Sequence, residues 1–294
     1  MGPVSHRNTQ KPQSHEDLAF NPRNRLLTPE GAAAIFRAAS MPEEHWPDLA
    51  DPEVLETLRL AFVHRSYTLP VNADHATGNA LCPPGTVPLQ PLSYDELEFN
   101  GDKFFNHFTQ RYITRRFAGA LWARNEGNLT RLVSRVVCRQ GLSRIGRALG
   151  LGQWLLVSRH REEAGARESD ALVEDAFEAL VGALDRVGSR GREIWEMPET
   201  ACRFAHAVLD TMVDWPALVS DLRTKHGINE RERLGAYLSA SGERLVFRDE
   251  HHARLVRLRP GTRTEEVVAT GRGDTVEAAR EAAAARANRV LSEA

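Results

Sequence analysis

The sequence of 294 residues contains few lysines and few cysteines, and it has no long apolar run. The three cysteines, Cys82, Cys138 and Cys202, are too scattered for a zinc site or a disulfide framework. No apolar stretch is long enough to span a bilayer, and the N-terminus lacks the pattern of a secretory signal. We therefore expect a soluble, intracellular protein without membrane contact. The cytoplasm is the expected compartment, with the nucleus and organelles left open.

The chain also lacks a marked excess of either charge. Its net charge is −2 at pH 7, and lysine occurs only three times, so its basic residues are nearly all arginines. A chain with this charge balance is not basic throughout. Any surface that binds nucleic acid must therefore be confined to one part of the protein. A hydrophobic content of 41% and a charged content of 27% are ordinary for globular domains.

The distribution of apolar residues predicts a tail and two domains. Residues 1–27 are polar and hold too little apolar material to fold alone, so we expect a disordered or extended tail. A helical pattern occupies residues 28–215, in which Thr-Pro and Asp-Pro pairs mark helix starts. Within it, residues 69–93 are rich in proline and predict a long loop. Residues 216–228 are predicted to link this domain to a second one at residues 229–294.

The second domain changes the pattern from helical to mixed. A helix from Asn229 is followed by extended stretches near residues 244–248, 253–259 and 264–270. An alanine-rich helix is predicted from Thr275 to about Leu291. The predicted order is therefore α-β-β-β-α, which is typical of a small α+β domain.

Two groups of carboxylates are the candidate functional residues of the first domain. In YDELEFNGD, helical spacing places Asp95, Glu98 and Asp102 on one face. Like charges at this spacing destabilise a helix by roughly 0.2–0.5 kcal/mol per pair, so the stripe does not serve helix stability. In LVEDAFEALVGAL, Asp175 and Glu178 are again three residues apart. Each group alone also fits a solvated helix face; together the two helices could close one site for a divalent cation such as Mg²⁺.

Several motifs in order resemble the ribonuclease III family. LEFNGD is similar to the family signature, in which a hydrophobic residue usually stands at the position of Asn100. AFVHRSY at 61–67, NEGNLTRLVSRVV at 125–137 and DAFEALVGAL at 175–184 follow in the family's order. The resemblance implies an all-α ribonuclease III endonuclease domain followed by a small α+β domain that looks like a double-stranded RNA-binding domain.

The resemblance also implies roles for particular carboxylates. Carried over by position, the metal-binding and catalytic quartet is Glu98, Asp102, Asp175 and Glu178. The family's further acidic catalytic positions fall on Asp95, where glutamate is usual, and on Glu126. The implied cofactor is Mg²⁺, with Mn²⁺ as a substitute.

Other positions carry implications for partners. Phe99 matches an aromatic residue that contacts the second subunit of a homodimer. In the C-terminal domain only Arg280 fits the family's basic cluster, because Val276 and Glu277 replace the expected lysines.

Glu174 replaces a small residue beside the implied metal site. We interpret His64 as a packing residue beside the signature helix.

The resemblance implies a Mg²⁺-dependent endoribonuclease that acts on double-stranded RNA and leaves 5′-phosphate and 3′-hydroxyl ends. The alternative is a catalytically weak or inactive ribonuclease III-like subunit that serves as a scaffold in an RNA–protein complex. The four carboxylates favour the enzyme, since a scaffold has no reason to keep converging like charges. The departures at Asp95 and Asn100 and in the C-terminal basic cluster favour the scaffold.

Overall fold

The computed structural model describes residues 19–70, 72–120, 123, 125–193, 196–225, 244–248, 252–258 and 265–292. These residues fall into two compact units. The first unit holds the described residues up to Phe108 together with Val137–Met212, and the second holds Thr109–Val136 and the described residues from Val213.

Helices build the first unit. They are α1 (Pro29–Ala38), α2 (Pro52–Leu60), the short α3 (His75–Gly78), α4 (Asp95–Arg116, whose end lies in the second unit), α6 (Arg139–Ala148), α7 (Arg159–Glu163), α8 (Asp170–Gly188) and α9 (Glu199–Thr211). Helix α8 packs against α2, α6 and α9, and its residues from Ala179 to Leu184 are buried. It is therefore the central helix of this unit.

Local signals in the sequence fix where several of these helices begin and end. The Thr28 hydroxyl accepts a hydrogen bond from the Gly31 N–H at 3.1 Å, and a proline follows at the first helical position. Asp51 caps α2 in the same way, with its carboxylate 2.9 Å from the Glu53 N–H. Gly150 follows α6 at a φ of 71°, a left-handed conformation that glycine adopts without strain.

Two glycines allow α4 and α8 to cross at backbone contact. A β-carbon on Gly101 of α4 would overlap the carbonyl oxygen of Glu178, and one on Gly182 of α8 would overlap that of Leu97. Next to this crossing, the rings of Phe105 and Phe177 meet edge to face with centroids 5.0 Å apart. The crossing fixes how closely the carboxylates of the two helices approach one another.

Part of the predicted tail is packed into the first unit. The buried amides of Asn21 and Asn24 both donate to the carbonyl of Val157, at 3.1 and 3.0 Å. Asn24 also accepts from Arg167, whose guanidinium pairs with Glu162 at 2.6 Å. The structure therefore differs from the predicted boundary at residue 27, because residues 19–27 are held by buried hydrogen bonds.

The proline-rich segment 69–93 also packs onto the first unit. Besides α3, it is held by hydrogen bonds from the Tyr67 hydroxyl to the Val87 carbonyl and between the Asn79 side chain and the backbone of Leu89. Leu89 is buried in an apolar cluster with Phe20, Tyr67 and neighbouring residues. In its described residues the segment is thus an irregular but packed loop, as its composition predicts.

The second unit contains helices α5 (Glu126–Val137) and α10 (Trp215–Lys225) and the C-terminal end of α4. The ring of Trp215 stacks on Tyr112 with centroids 5.5 Å apart and meets Phe117 edge to face. Helix α10 occupies most of the segment predicted as a linker at residues 216–228. That prediction missed the start signal at Asp214, whose carboxylate accepts from the Ala217 N–H at 3.0 Å.

The C-terminal part of this unit is an antiparallel sheet with one long helix. Strands β1 (Arg244–Arg248), β2 (His252–Leu258) and β3 (Glu265–Arg272) pair in chain order, with a bulge at Leu255/Val256, and α11 (Val276–Ser292) follows. Alanines of α11 pack on Ala253 and Leu255. These elements agree with the predicted strands and last helix. The predicted first helix at 229–243 lies outside the described residues, so assignment to a double-stranded RNA-binding fold stays a prediction.

Among the residues that the structure describes, no helix combines the length and the apolar character needed to cross a membrane.

Candidate metal centre

Three of the predicted carboxylates meet where α4 crosses α8. Glu98 on α4 and Asp175 and Glu178 on α8 each offer an oxygen, and these oxygens all lie within 4.8 Å of one another. We call this group the acidic centre. Its side chains are partly buried rather than spread over a solvated surface. The two sequence patterns, some seventy residues apart, therefore form one site.

Asp102, the fourth predicted ligand, is not in this group. Its carboxylate pairs with the ammonium of Lys103 at 2.5 Å, and its side chain is 37% exposed. The charge of Asp102 still acts on the centre, since it raises the pKa of Glu178. In this conformation Asp102 faces its neighbour rather than the other three carboxylates, so its role as a metal ligand remains a prediction.

The ionisation of the acidic centre is strongly perturbed. Burial, followed by the charges of Asp175 and Asp95, raises the pKa of Glu98 to about 7. Burial, followed by the charges of Asp102 and Glu174, raises the pKa of Glu178 to about 8. Burial also raises the pKa of Asp175. Without a cation, the centre therefore holds protons at neutral pH that isolated carboxyl groups would have lost.

Two aromatic side chains support the centre, one from the residue before α4 and one from the helical turn at residues 64–67. The buried hydroxyl of Tyr94 donates to Asp175 at 3.3 Å. His64 contacts the Tyr94 ring edge to face at 6.0 Å, and its Nδ1 accepts from the N–H of Ser66. Burial lowers the pKa of His64. These contacts agree with the interpretation of His64 as a packing residue.

The remaining predicted residues lie outside the acidic centre. Asp95 is exposed on the first turn of α4, with its carboxylate 3.6 Å from Arg65. Glu126 is the first residue of α5, where it is exposed. Phe99 projects from α4 with 64% of its surface exposed. Arg280 is half-buried on α11. The roles of these four residues remain predictions.

Sequence reasoning did not find three other residues that shape the centre. Tyr94 borders the signature motif, but nothing in the spacing indicates its bond to Asp175. Gly182 lies in the segment LVEDAFEALVGAL, and only the close crossing of α4 and α8 explains why a glycine stands there. Arg139 pairs with Glu174 at 2.6 Å from thirty-five positions away in the chain. The one sequence signal available was Gly182 itself, because a glycine in the middle of an apolar helix can indicate that another backbone segment packs closely against it.

The acidic centre fits a hard divalent cation. All its donors are carboxylate oxygens, the ligands that Mg²⁺ and Mn²⁺ prefer. Three carboxylates drawn together in a partly buried position repel one another, and a cation offsets that repulsion. The raised pKa values of Glu98 and Glu178 are what this repulsion and burial produce without an ion. Glu98, Asp175 and Glu178 would hold the cation.

The pKa values predict that cation binding releases protons. Near pH 7, Glu178 with a pKa of about 8 is mostly protonated and Glu98 with a pKa of about 7 is half protonated. Mn²⁺ requires the ionised forms, so each ion should displace more than one proton on average. Calorimetric titration in buffers of different ionisation enthalpy measures this number. It should fall towards zero as the pH rises well above 8, and affinity should rise over the same range. Proton release that is zero at pH 7 would contradict the assignment.

Comparison with known proteins finds one family to which part of this chain is similar. The family model described as Ribonuclease III domain matches residues 95–184. Ribonuclease 3 of Syntrophomonas wolfei is 35% identical over 88 residues, covering 30% of this chain and 36% of that protein. Ribonuclease 3 of Chlorobium luteolum is 28% identical over 198 residues, covering 67% of this chain and 65% of that protein.

A crystal structure of the ribonuclease III nuclease domain from Campylobacter jejuni overlays with a TM-score of 0.44 at 19% identity, covering 62% of this chain and 95% of that one. The chain spans between about a third and about two thirds of the length of these curated relatives. The matched region begins at the first residue of α4 and ends within α8, so it contains the whole acidic centre. The segment that holds the acidic centre is therefore similar to the ribonuclease III domain.

Proposed function

We propose that this protein is a metal-dependent endoribonuclease that cleaves double-stranded RNA and leaves 5′-phosphate and 3′-hydroxyl ends. The observation that carries the proposal is the convergence of Glu98, Asp175 and Glu178 at the crossing of α4 and α8. The family match over this same region supports it. The proposed cofactor is Mg²⁺, with Mn²⁺ as a substitute.

The proposed chemistry follows from charge. Hydrolysis of a phosphodiester needs an activated water and places negative charge on the phosphoryl oxygens. When bound, a divalent cation makes a water more acidic and neutralises this charge. The protein's own residues hold and orient the ligands: Tyr94 donates to Asp175, and the backbone contacts at Gly101 and Gly182 fix the two helices. No serine or cysteine nucleophile is required.

The proposal includes a homodimer that presents one acidic centre to each strand of an RNA duplex. Phe99 is the proposed dimer contact, because it projects from α4 with 64% of its surface exposed and stands where the resemblance implies an aromatic residue that contacts the second subunit. Residues 229–294 are proposed as a second domain that assists RNA binding, and Arg280 as one of its contacts. A cytoplasmic location is part of the same proposal.

Cleavage of an internally labelled RNA duplex tests the activity. We expect cleavage with Mg²⁺ or Mn²⁺, none with a chelator, and little with single-stranded RNA of the same sequence. Product ends are checked by a 5′-phosphate-dependent exonuclease and by 3′ ligation. Cleavage that survives chelation would overturn the assigned metal centre.

The scaffold alternative makes the opposite prediction. A scaffold binds structured RNA but does not cleave it under any metal condition. Absence of cleavage together with retained binding of a duplex, measured by gel shift, would favour the scaffold. The pairing of Asp102 with Lys103 is the observation that keeps this alternative open, because it removes one predicted ligand from the centre.

A further inference from the structure

Glu174 adds a fourth negative charge next to the acidic centre. It precedes Asp175 on α8 and lies one helical turn before Glu178, so its side chain projects beside that of Glu178. Its side chain is only 14% exposed, which weakens the screening of its charge by water. Its charge contributes to raising the pKa of Glu98, Asp175 and Glu178.

Arg139 is placed to offset this charge. It is the first residue of α6, and its Nε donates to the Glu174 carboxylate at 2.6 Å. The guanidinium approaches from the solvent side, since the Arg139 side chain is 64% exposed. Helix α6 is otherwise fixed along α8 by buried contacts such as Gly146 against Val173, so the backbone position of Arg139 does not depend on this ion pair.

We propose that Arg139 and Glu174 act as a positioning pair that sets the divalent-cation affinity of the acidic centre. The inference rests on the proposed metal centre and deepens it. Glu174 strengthens the attraction for a cation, and Arg139 limits that attraction. The pair thereby balances cation binding against repulsion of the RNA phosphates, which carry the same sign of charge as Glu174.

This role makes the two single substitutions act in opposite directions. In Arg139→Ala the charge of Glu174 is no longer offset, and the Kd for Mn²⁺ should decrease by about three- to tenfold. In Glu174→Ala a negative charge is lost while the arginine remains, and the Kd should increase by a similar factor of about three- to tenfold. The double substitution should return the Kd close to that of the wild type, and Arg139→Lys should retain most of the wild-type behaviour.

The measurement is calorimetric titration of the full chain with Mn²⁺ alone, under argon, at about pH 8.5, where the proton competition at Glu98 and Glu178 is reduced. Arg147→Ala is the matched control, because Arg147 forms the neighbouring ion pair between the same helices, with Asp170, two turns further along α6. This control should leave the Kd unchanged. In the cleavage assay, Arg139→Ala should raise KM for the duplex more than it lowers kcat.

The outcomes separate this inference from the proposed function. If the wild type binds no Mn²⁺, the metal centre itself is wrong and the inference fails with it. If the wild type binds Mn²⁺ but both single substitutions shift the Kd in the same direction, or neither shifts it, the pair is merely a structural ion pair. Opposite shifts with recovery in the double variant support the inference.

Discussion

Glu178→Gln is expected to lower the rate of the proposed RNA cleavage by roughly a thousandfold, because loss of one proposed cation ligand removes several kcal/mol of transition-state stabilisation. Glutamine keeps the size of the side chain and a neutral oxygen, so the fold should be retained. The rate is measured under single-turnover conditions with saturating protein and excess Mg²⁺. A rate within about tenfold of the wild type would exclude Glu178 from the reaction.

The same substitution should stabilise the metal-free protein, and this effect distinguishes loss of chemistry from loss of folding. The pKa of Glu178 is about 8 in the folded state and 4.5 as the reference value. Between about pH 4.5 and about pH 8, the folded state therefore keeps a proton on Glu178 that the unfolded state has lost. The free energy of unfolding consequently falls as the pH rises through this range. Glutamine does not ionise, so the melting temperature of Glu178→Gln should exceed that of the wild type at pH 8 and match it below pH 4.5.

Gly182→Ala is expected to destabilise the first unit and to abolish cation binding. The added β-carbon would overlap the carbonyl oxygen of Leu97, a backbone atom that moves only if α4 and α8 separate. Overpacking a core costs typically 1–3 kcal/mol, and a backbone clash belongs at the upper end or beyond. At about 2–4 °C per kcal/mol for a domain of this size, the melting temperature should fall by about 6–12 °C.

The control for this substitution is Gly119→Ala. A β-carbon at Gly119 has no neighbour within 4 Å, and its φ lies outside the left-handed region. This variant should melt within about 2 °C of the wild type and bind Mn²⁺ normally. Equal effects of the two substitutions, or a Gly182→Ala protein that binds Mn²⁺ with unchanged affinity, would show that the close crossing does not set the site geometry.

The helices and strands were largely predictable because their signals are local. The Thr28 and Asp51 caps, the alternation of apolar residues and the glycine after α6 depend on neighbours within a few positions. Helix α10 was not predicted, because residues 216–228 were interpreted as a linker. The start signal was nevertheless local, since Asp214 carries the same type of cap as Asp51.

Contacts between distant parts of the chain were not predictable. Asn21 and Asn24 are polar and were assigned to a tail, yet their amides satisfy the backbone of Val157 more than 130 positions away. Helical spacing placed Glu98 and Asp102 on one face, but it does not fix side-chain conformation. An adjacent lysine accounts for the direction of Asp102. The partner of Glu174 could not be inferred from spacing, because α6 and α8 are neighbours only in the folded chain.

The amides of Asn21 and Asn24 also bear on how far the protein can be shortened. Both amides donate to the carbonyl of Val157, which lies between the β-bridge at Leu156 and the start of α7. Arg167, further along the chain, donates one of its hydrogen bonds to Asn24. A fragment trimmed to the family match at residues 95–184 would leave a buried guanidinium and a buried carbonyl without these partners. A shortened form of this chain that keeps the acidic centre should therefore begin upstream of Ala19, well before the first recognisable motif.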